Sequence, residues 1–315
     1  MRNAFADELF QLAASDPRIV FLSGDIGNRL FDRFKTQFPN RFYNCGVAEA
    51  NMASVAAGLA MCGLRPITYT ITPFNTTRCL EQIRDDICYH NVPVLVVGTG
   101  AGLSYASLGC THHSCEDISF LKSLPNMSVL CPGDSMEMRS LFRAAMASNR
   151  PAYMRIGKTG EPVIHPSPPQ LEIGKGLIIR PGSDLCILST GNMLPTALET
   201  ADCLSKEGLL PQVVSFPTVK PLDTTLLSSL TEQFPHWVSL EEHSLIGGFG
   251  SALAEWLIDN QMNQIRLLRF GTPDRFPHPI GSQKYLRSQY GLEPNTLAAN
   301  ILTKVQHANA SRHSR

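Results

Sequence analysis

The sequence has no excess of charge: 27 Lys and Arg stand against 27 Asp and Glu. That balance offers nothing to a nucleic-acid backbone or an anionic membrane surface, so neither partner is expected. No apolar run approaches the roughly 20 residues of a bilayer-spanning helix. The N-terminus lacks the architecture of a secretory leader, and Phe5, Leu9 and Leu12 fall instead on one face of an amphipathic helix. Cysteines number nine, odd and scattered, with no Cys-x-x-Cys pair. This pattern speaks against a disulfide framework and for a reducing cytoplasm. Cys110, His112, His113 and Cys115 come nearest to a metal cluster. Their spacing is too tight for the usual zinc pattern, and no metal ligand is assigned.

What is present is an alternation of strand-like and helix-like runs. Ile19–Ser23, a strand ending near Asn44, Pro66–Thr70, Val92–Gly98, Met127–Leu130 and Ala152–Ile156 are short and apolar, with helical stretches between them. Continuous apolar runs are the mark of parallel strands covered on both faces. The segment from Gly157 to Gly174 carries prolines that remove donors and fix the backbone, so it reads as a linker. A second series follows: Leu177–Arg180, Leu185–Ser189, Gln212–Phe216, His236–Leu240 and Gln264–Arg269. The fold class is α/β, two doubly wound domains with mainly parallel sheets. The boundaries are 1–158 for the first domain, 159–174 for the linker, 175–306 for the second domain and 307–315 for a disordered polar tail.

Three stretches invite a chemical reading. Tyr43–Gly63 is a strand end, a turn at Gly46 and a helix of small residues stopped by Gly63. Glu49 shares a helical face with Met52, Ala53 and Ala56. It is either a first-turn acid complementing the helix dipole or a buried acid placed for proton chemistry. Gly24-Asp25-Ile26-Gly27-Asn28 follows a strand but fits neither the dinucleotide fingerprint nor the P-loop, and reads as a turn. Gly247-Gly248-Phe249-Gly250 is a turn or an anion site at a helix N-terminus. The glycine-rich loop from Gly98 to Ser114 leaves a strand at the end where open α/β sheets bind ligands. It ends in His112 and His113, suited either to substrate oxygens or simply to solvent.

Taken in order, several segments resemble the transketolase family. They are Gly46-Val47-Ala48-Glu49-Ala50-Asn51-Met52, the run from Thr72 to Arg84, Gly102-Leu103-Ser104 through Thr111-His112-His113, Leu124-Pro125-Asn126-Met127, and Glu241 to Gly248. The whole chain is similar to the C-terminal half of these enzymes, a pyrimidine-binding domain of the thiamine-diphosphate-binding fold followed by a transketolase C-terminal-like domain. The resemblance implies thiamine diphosphate as cofactor, with Glu49 sharing a proton with the aminopyrimidine so that the C2 proton can leave. That role asks for a dry setting among Val47, Ala48 and Met52 strong enough to outweigh the helix N-terminus. Phe74 matches the aromatic stacked on the pyrimidine, a contact worth about 0.5–1.5 kcal/mol beyond burial. Ile71 stands where the pocket carries an earlier aromatic, Arg78 from the same motif is counted among the cofactor contacts, and Asp25 matches an acid near the thiazolium ring. His112 and His113 match the substrate-facing histidines.

The departures narrow the substrate. Leu108 replaces an aspartate that reads a sugar hydroxyl, a histidine near Gly100 is absent, and Lys158, with Arg155 nearby, stands for a phosphate-binding arginine. Arg2 is a further candidate for an anionic substrate group. Loss of a carboxylate that reads a hydroxyl favours a deoxy, keto or nucleotide-linked sugar, or an acyl donor such as pyruvate. The Gly-Asp-Gly…Asn motif that holds the diphosphate and Mg²⁺ is not found. The resemblance therefore implies a separate N-terminal subunit that brings the metal, in an α2β2 heterotetramer catalysing two-carbon ketol or acyl transfer. Alternatives are the β subunit of a 2-oxo-acid dehydrogenase, a 1-deoxyxylulose-phosphate-synthase-like decarboxylating enzyme, and a non-catalytic assembly homologue.

Overall fold

A computed structural model describes residues 1–27, 29–158 and 160–313, with side chains to Val305. Asn28 at the end of the Gly24 turn, Thr159 at the start of the linker and the two C-terminal residues lie outside the described residues.

Strands form at β1 (Ile19–Ser23), β2 (Phe42–Asn44), β3 (Arg65–Ile71), β4 (Leu95–Thr99), β5 (Ser128–Leu130) and β6 (Ala152–Ile156). They continue with β7 (Leu177–Arg180), β8 (Leu185–Ser189), β9 (Pro211–Ser215), β10 (Thr218–Lys220), β11 (His236–Ser244) and β12 (Arg266–Thr272). β1, β3, β4, β6, β8 and β9 are buried at every position, as sheets layered by helices on both faces require. One sheet runs β10-β5-β6-β4-β3-β1-β2 and the other β12-β11-β8-β9-β7. Among these strands, β10 with β5 and β7 with β9 pair antiparallel, and the other pairs are parallel. Both layers are doubly wound α/β sheets.

β10 comes from the second series of elements yet completes the first sheet, Thr218 opposite Leu130. Beside it, Cys131 N donates to Pro217 O at 2.7 Å and Gly191 N to Cys131 O at 3.0 Å. Second-domain chain thus covers an edge that would otherwise expose unpaired backbone groups. Helices Thr224–Gln233, Gln283–Gln289 and Pro294–His313 also go beyond the alternation read from sequence. The last runs through His313, into the segment from 307 read from sequence as a tail. Leu297, Ile301 and Val305 anchor this helix in the second core, and extending a nucleated helix costs little per residue.

Two packing features position the site. The helix Glu49–Met61 buries Met52, Ala53, Ala56, Ala57 and Ala60, small side chains that let it lie close to the sheet. On the other face, an aromatic cluster fixes the N-terminal helix Arg2–Ser15 against β1 and β3. Its rings include Phe5 and Phe142 with centroids 4.9 Å apart, and Phe21 and Phe31 at 4.5 Å.

Candidate active site

Sequence order reverses between β1 and β3: β2 lies on one side of β1, while β3 and β4 lie on the other. The crevice at the carboxyl ends of such strands is where doubly wound sheets bind ligands. Gly24 and Asp25 leave β1 there, Ile71 ends β3 and Thr99 ends β4.

Glu49 opens the helix that follows β2 and is 2% exposed. Gly24 makes room for it: a Cβ at that position would lie 3.2 Å from Glu49 Cγ and 3.0 Å from Thr70 Cβ. The carboxylate is not left alone, because Arg78 Nη1 donates to its Oε2 at 2.8 Å. Val47 and Ala48 do not form the expected dry wall. Val47 is 77% exposed and Ala48 is also exposed, since both precede the helix on its open side; Met52 is buried as expected. Asp25 takes positive φ and accepts from Asn44 Nδ2 at 2.9 Å, while Asn44 Oδ1 accepts from Gly46 N at 2.9 Å. This chain of bonds fixes the turn leading to Glu49.

Phe74 lies in the short helix Thr72–Asn75 just beyond Ile71. That segment is tied down by Thr72 Oγ1 donating to Thr99 O at 3.0 Å and Asn75 Nδ2 to Val97 O at 2.9 Å. The Arg78 guanidinium carbon sits 4.3 Å from the Phe74 ring centroid. The ring meets His112 edge-on, with centroids 5.2 Å apart. His112 in turn lies 5.9 Å from the ring of Tyr105, over which Lys158 Nζ stands at 4.6 Å. One continuous path therefore joins Glu49, Arg78, Phe74, His112, Tyr105 and Lys158. Tyr105 is the member that sequence reasoning missed, because a single aromatic in a loop carries no periodic or motif signal.

Burial holds the His112 imidazole below its ordinary pKa, and that of His113 as well. His113 is 6% exposed and both its ring nitrogens are buried without a hydrogen-bond partner. Arg2 is half-buried at the start of the N-terminal helix, and its charge acts on the hydroxyls of Tyr69 and Tyr105. Leu108 is exposed on the turn before Gly109. Arg155 corrects the expectation of a substrate contact. It is 2% exposed, donates from Nε to Asp117 Oδ2 at 2.7 Å, and reaches the carbonyls of Ser114 and Glu242 through Nη2. With Nε and Nη2 so engaged, this buried guanidinium serves to tie the histidine loop to the second domain.

The second domain steadies the histidine loop. Glu242 Oε1 accepts from Leu103 N at 2.8 Å and from Asn192 Nδ2 at 3.0 Å, and Gln283 and Arg287 donate to the same carboxylate. Gly102 permits this approach, since a Cβ there would lie 2.5 Å from Glu242 Oε1. Glu241 fills the helix N-terminus at Gly247–Gly250, accepting from Phe249 N at 2.6 Å and Gly250 N at 2.8 Å. The carboxyl that fills that turn is the chain's own.

The residues fit one end of the implied cofactor. A buried carboxyl joined through Arg78 to a half-exposed aromatic ring suits an aminopyrimidine. Among the described residues no group of three or more His, Cys, Asp or Glu is placed to hold a metal ion.

A doubly wound α/β protein with a buried acid and a histidine loop at its strand ends, braced by a second α/β domain, is the class that fold and site define. Residues 1–160 match the model of the transketolase pyrimidine-binding domain and residues 174–297 that of the transketolase C-terminal domain. The chain belongs to the transketolase family. It is 33% identical over 309 residues to a protein of Methanocaldococcus jannaschii described as a transketolase C-terminal section, covering 97% of this chain and 96% of that one. It is 35% identical to the 1-deoxy-D-xylulose-5-phosphate synthase of Syntrophus aciditrophicus, covering 98% of this chain but only 48% of that enzyme. A solved split-gene transketolase, described as an inactive β4 tetramer, superposes with a TM-score of 0.87 at 34% identity, with 96% of each chain covered.

Proposed function

We propose that this chain is the pyrimidine-holding subunit of a two-subunit, thiamine-diphosphate-dependent transferase of aldehyde or ketone units. It would work in an α2β2 assembly in the cytoplasm, with a partner subunit that holds the diphosphate and Mg²⁺. The observation that carries this reading is the unbroken path from Glu49 through Arg78 and Phe74 to His112 at the switch point of the sheet. Thiamine diphosphate, when bound, supplies the electron sink that lets a carbon–carbon bond beside a carbonyl break and re-form. Glu49 offers its carboxyl as the hydrogen-bonding partner of the pyrimidine, and Phe74 stacks on that ring. His112, neutral through burial, takes or gives a proton at a substrate oxygen. His113 backs it from the same loop. Lys158 and Arg2 attract an anionic group of the substrate, and the apolar Leu108 tolerates a missing hydroxyl.

The test is hydrogen–deuterium exchange at the cofactor C2 in the complex of this chain with its partner, followed by NMR. Glu49→Gln should slow the exchange by about 100-fold or more. An unchanged exchange rate would remove Glu49 from the proposed role. A second reading, decarboxylative acyl transfer from pyruvate, is favoured by the similarity to a 1-deoxy-D-xylulose-5-phosphate synthase and by Leu108. Carbon dioxide release from pyruvate in the same complex separates the two.

A further inference from the structure

Tyr105 is held between the groups that would bind the two ends of a substrate. Its ring is 8% exposed and lies so close over Gly100 that a Cβ there would come within 2.1 Å of two ring carbons. Lys158 Nζ stands 4.6 Å from its centroid and the His112 ring 5.9 Å away. The hydroxyl is pushed above its ordinary pKa by burial, with the charge of Arg2 opposing. Both cations proposed for anion binding therefore act on the same aromatic ring that touches the proposed proton-handling histidine.

We propose that Tyr105 is a specificity-determining residue that sets the length of the substrate. The inference rests on the reading of His112 and Lys158 given above. A carbonyl compound with its oxygen at His112 and its anionic group at Lys158 has to run along the Tyr105 ring. The ring is fixed against Gly100 with Lys158 and His112 beside it, and an aromatic face can pack against a short carbon chain but cannot read hydroxyls. The substrate class this selects is a short carbonyl compound ending in a phosphate, sulfonate or carboxylate. Longer polyhydroxylated sugar phosphates are disfavoured by bulk.

The experiment uses the complex of this chain with its diphosphate-binding partner, loaded with thiamine diphosphate and Mg²⁺. It compares kcat/KM for a three-carbon and a five-carbon aldose phosphate as acceptors. Wild type should prefer the three-carbon compound. Tyr105→Leu, which keeps apolar volume in the buried position but removes the ring, should shift the ratio toward the five-carbon compound by at least about 10-fold, the scale on which pocket shape discriminates. Tyr105→Phe, which keeps the ring, should leave the ratio within about twofold of wild type. An unchanged ratio in an active Tyr105→Leu complex, or a wild-type preference for the five-carbon compound, overturns the proposal while leaving the transferase reading intact. Absence of transfer to either acceptor by the wild-type complex overturns the transferase reading itself. Should Tyr105→Leu fail to fold, Tyr105→Met gives the same comparison with a more adaptable side chain.

Discussion

His112 is held between the edge of Phe74 and the ring of Tyr105, and that partial burial penalises its cationic form. Its pKa in the folded chain lies below the ordinary 6.5, so the neutral imidazole persists to lower pH than it would in water. A reaction that needs neutral His112 should keep its rate as pH falls through 6.5, with the acid limb of kcat/KM below that value. The limb should vanish in His112→Gln. An acid limb at or above 6.5 in wild type would mean that another group governs it. Arg78 is legible in the sequence only as a member of a motif. Its bond to Glu49 depends on how two helical segments pack, which no local pattern encodes. Val47 is the converse case: it neighbours the acid in sequence, but only residues three or four apart share a helical face, so it builds no wall.

At the scale of elements, the histidine loop is held in place because another domain bonds its backbone. Glu242 reaches Leu103 N through the gap left by Gly102, and Glu241 beside it caps the helix Phe249–Asp259. Glu241 is completely buried, and burial pushes its pKa up to about 7 in spite of two backbone donors. Because the folded value exceeds the unfolded one, the stabilising contribution is fully present below about pH 4.5 and is lost as pH rises to about 7. Glu241→Gln removes this titration. The stability difference between wild type and Glu241→Gln, followed as Tm against pH, should therefore change across that window in the direction of wild type losing ground. A pH-independent difference would mean that the carboxyl titrates normally. The strands and the helix after Gly46 are legible because apolar runs and small-residue periodicity are local signals. β10 is not, since three residues become a strand only through the edge of β5 that receives them. The Glu241–Glu242 pair stands out in the sequence as a charged cluster at a strand end, but its partners lie in segments scattered along the chain.

For the molecule as a whole, the helix that carries Glu49 inward carries an apolar face outward. Val55 is 42% exposed, Met61 53% and Val47 77%, and Tyr43 from the preceding strand is also exposed. Gly58 on the same side leaves the helix backbone open to close approach. Exposed apolar side chains along the helix that begins at Glu49 are of the kind an interface core uses. The cofactor leads to the same surface. Under the function proposed above, the partner that brings the metal-bound diphosphate would meet this chain next to Glu49. Val55→Glu puts a charge at the middle of that face without touching the buried side of the helix. It should leave the fold of the isolated chain unchanged by circular dichroism and weaken association with the diphosphate-binding partner by at least about 10-fold, as a desolvated unpaired charge does. Ile258 is an exposed apolar residue of the second domain, in the helix Phe249–Asp259, and provides the control. Ile258→Glu adds the same charge away from Glu49 and should leave association unchanged. Equal association of wild type and Val55→Glu would move the partner to another surface and detach Glu49 from the shared site.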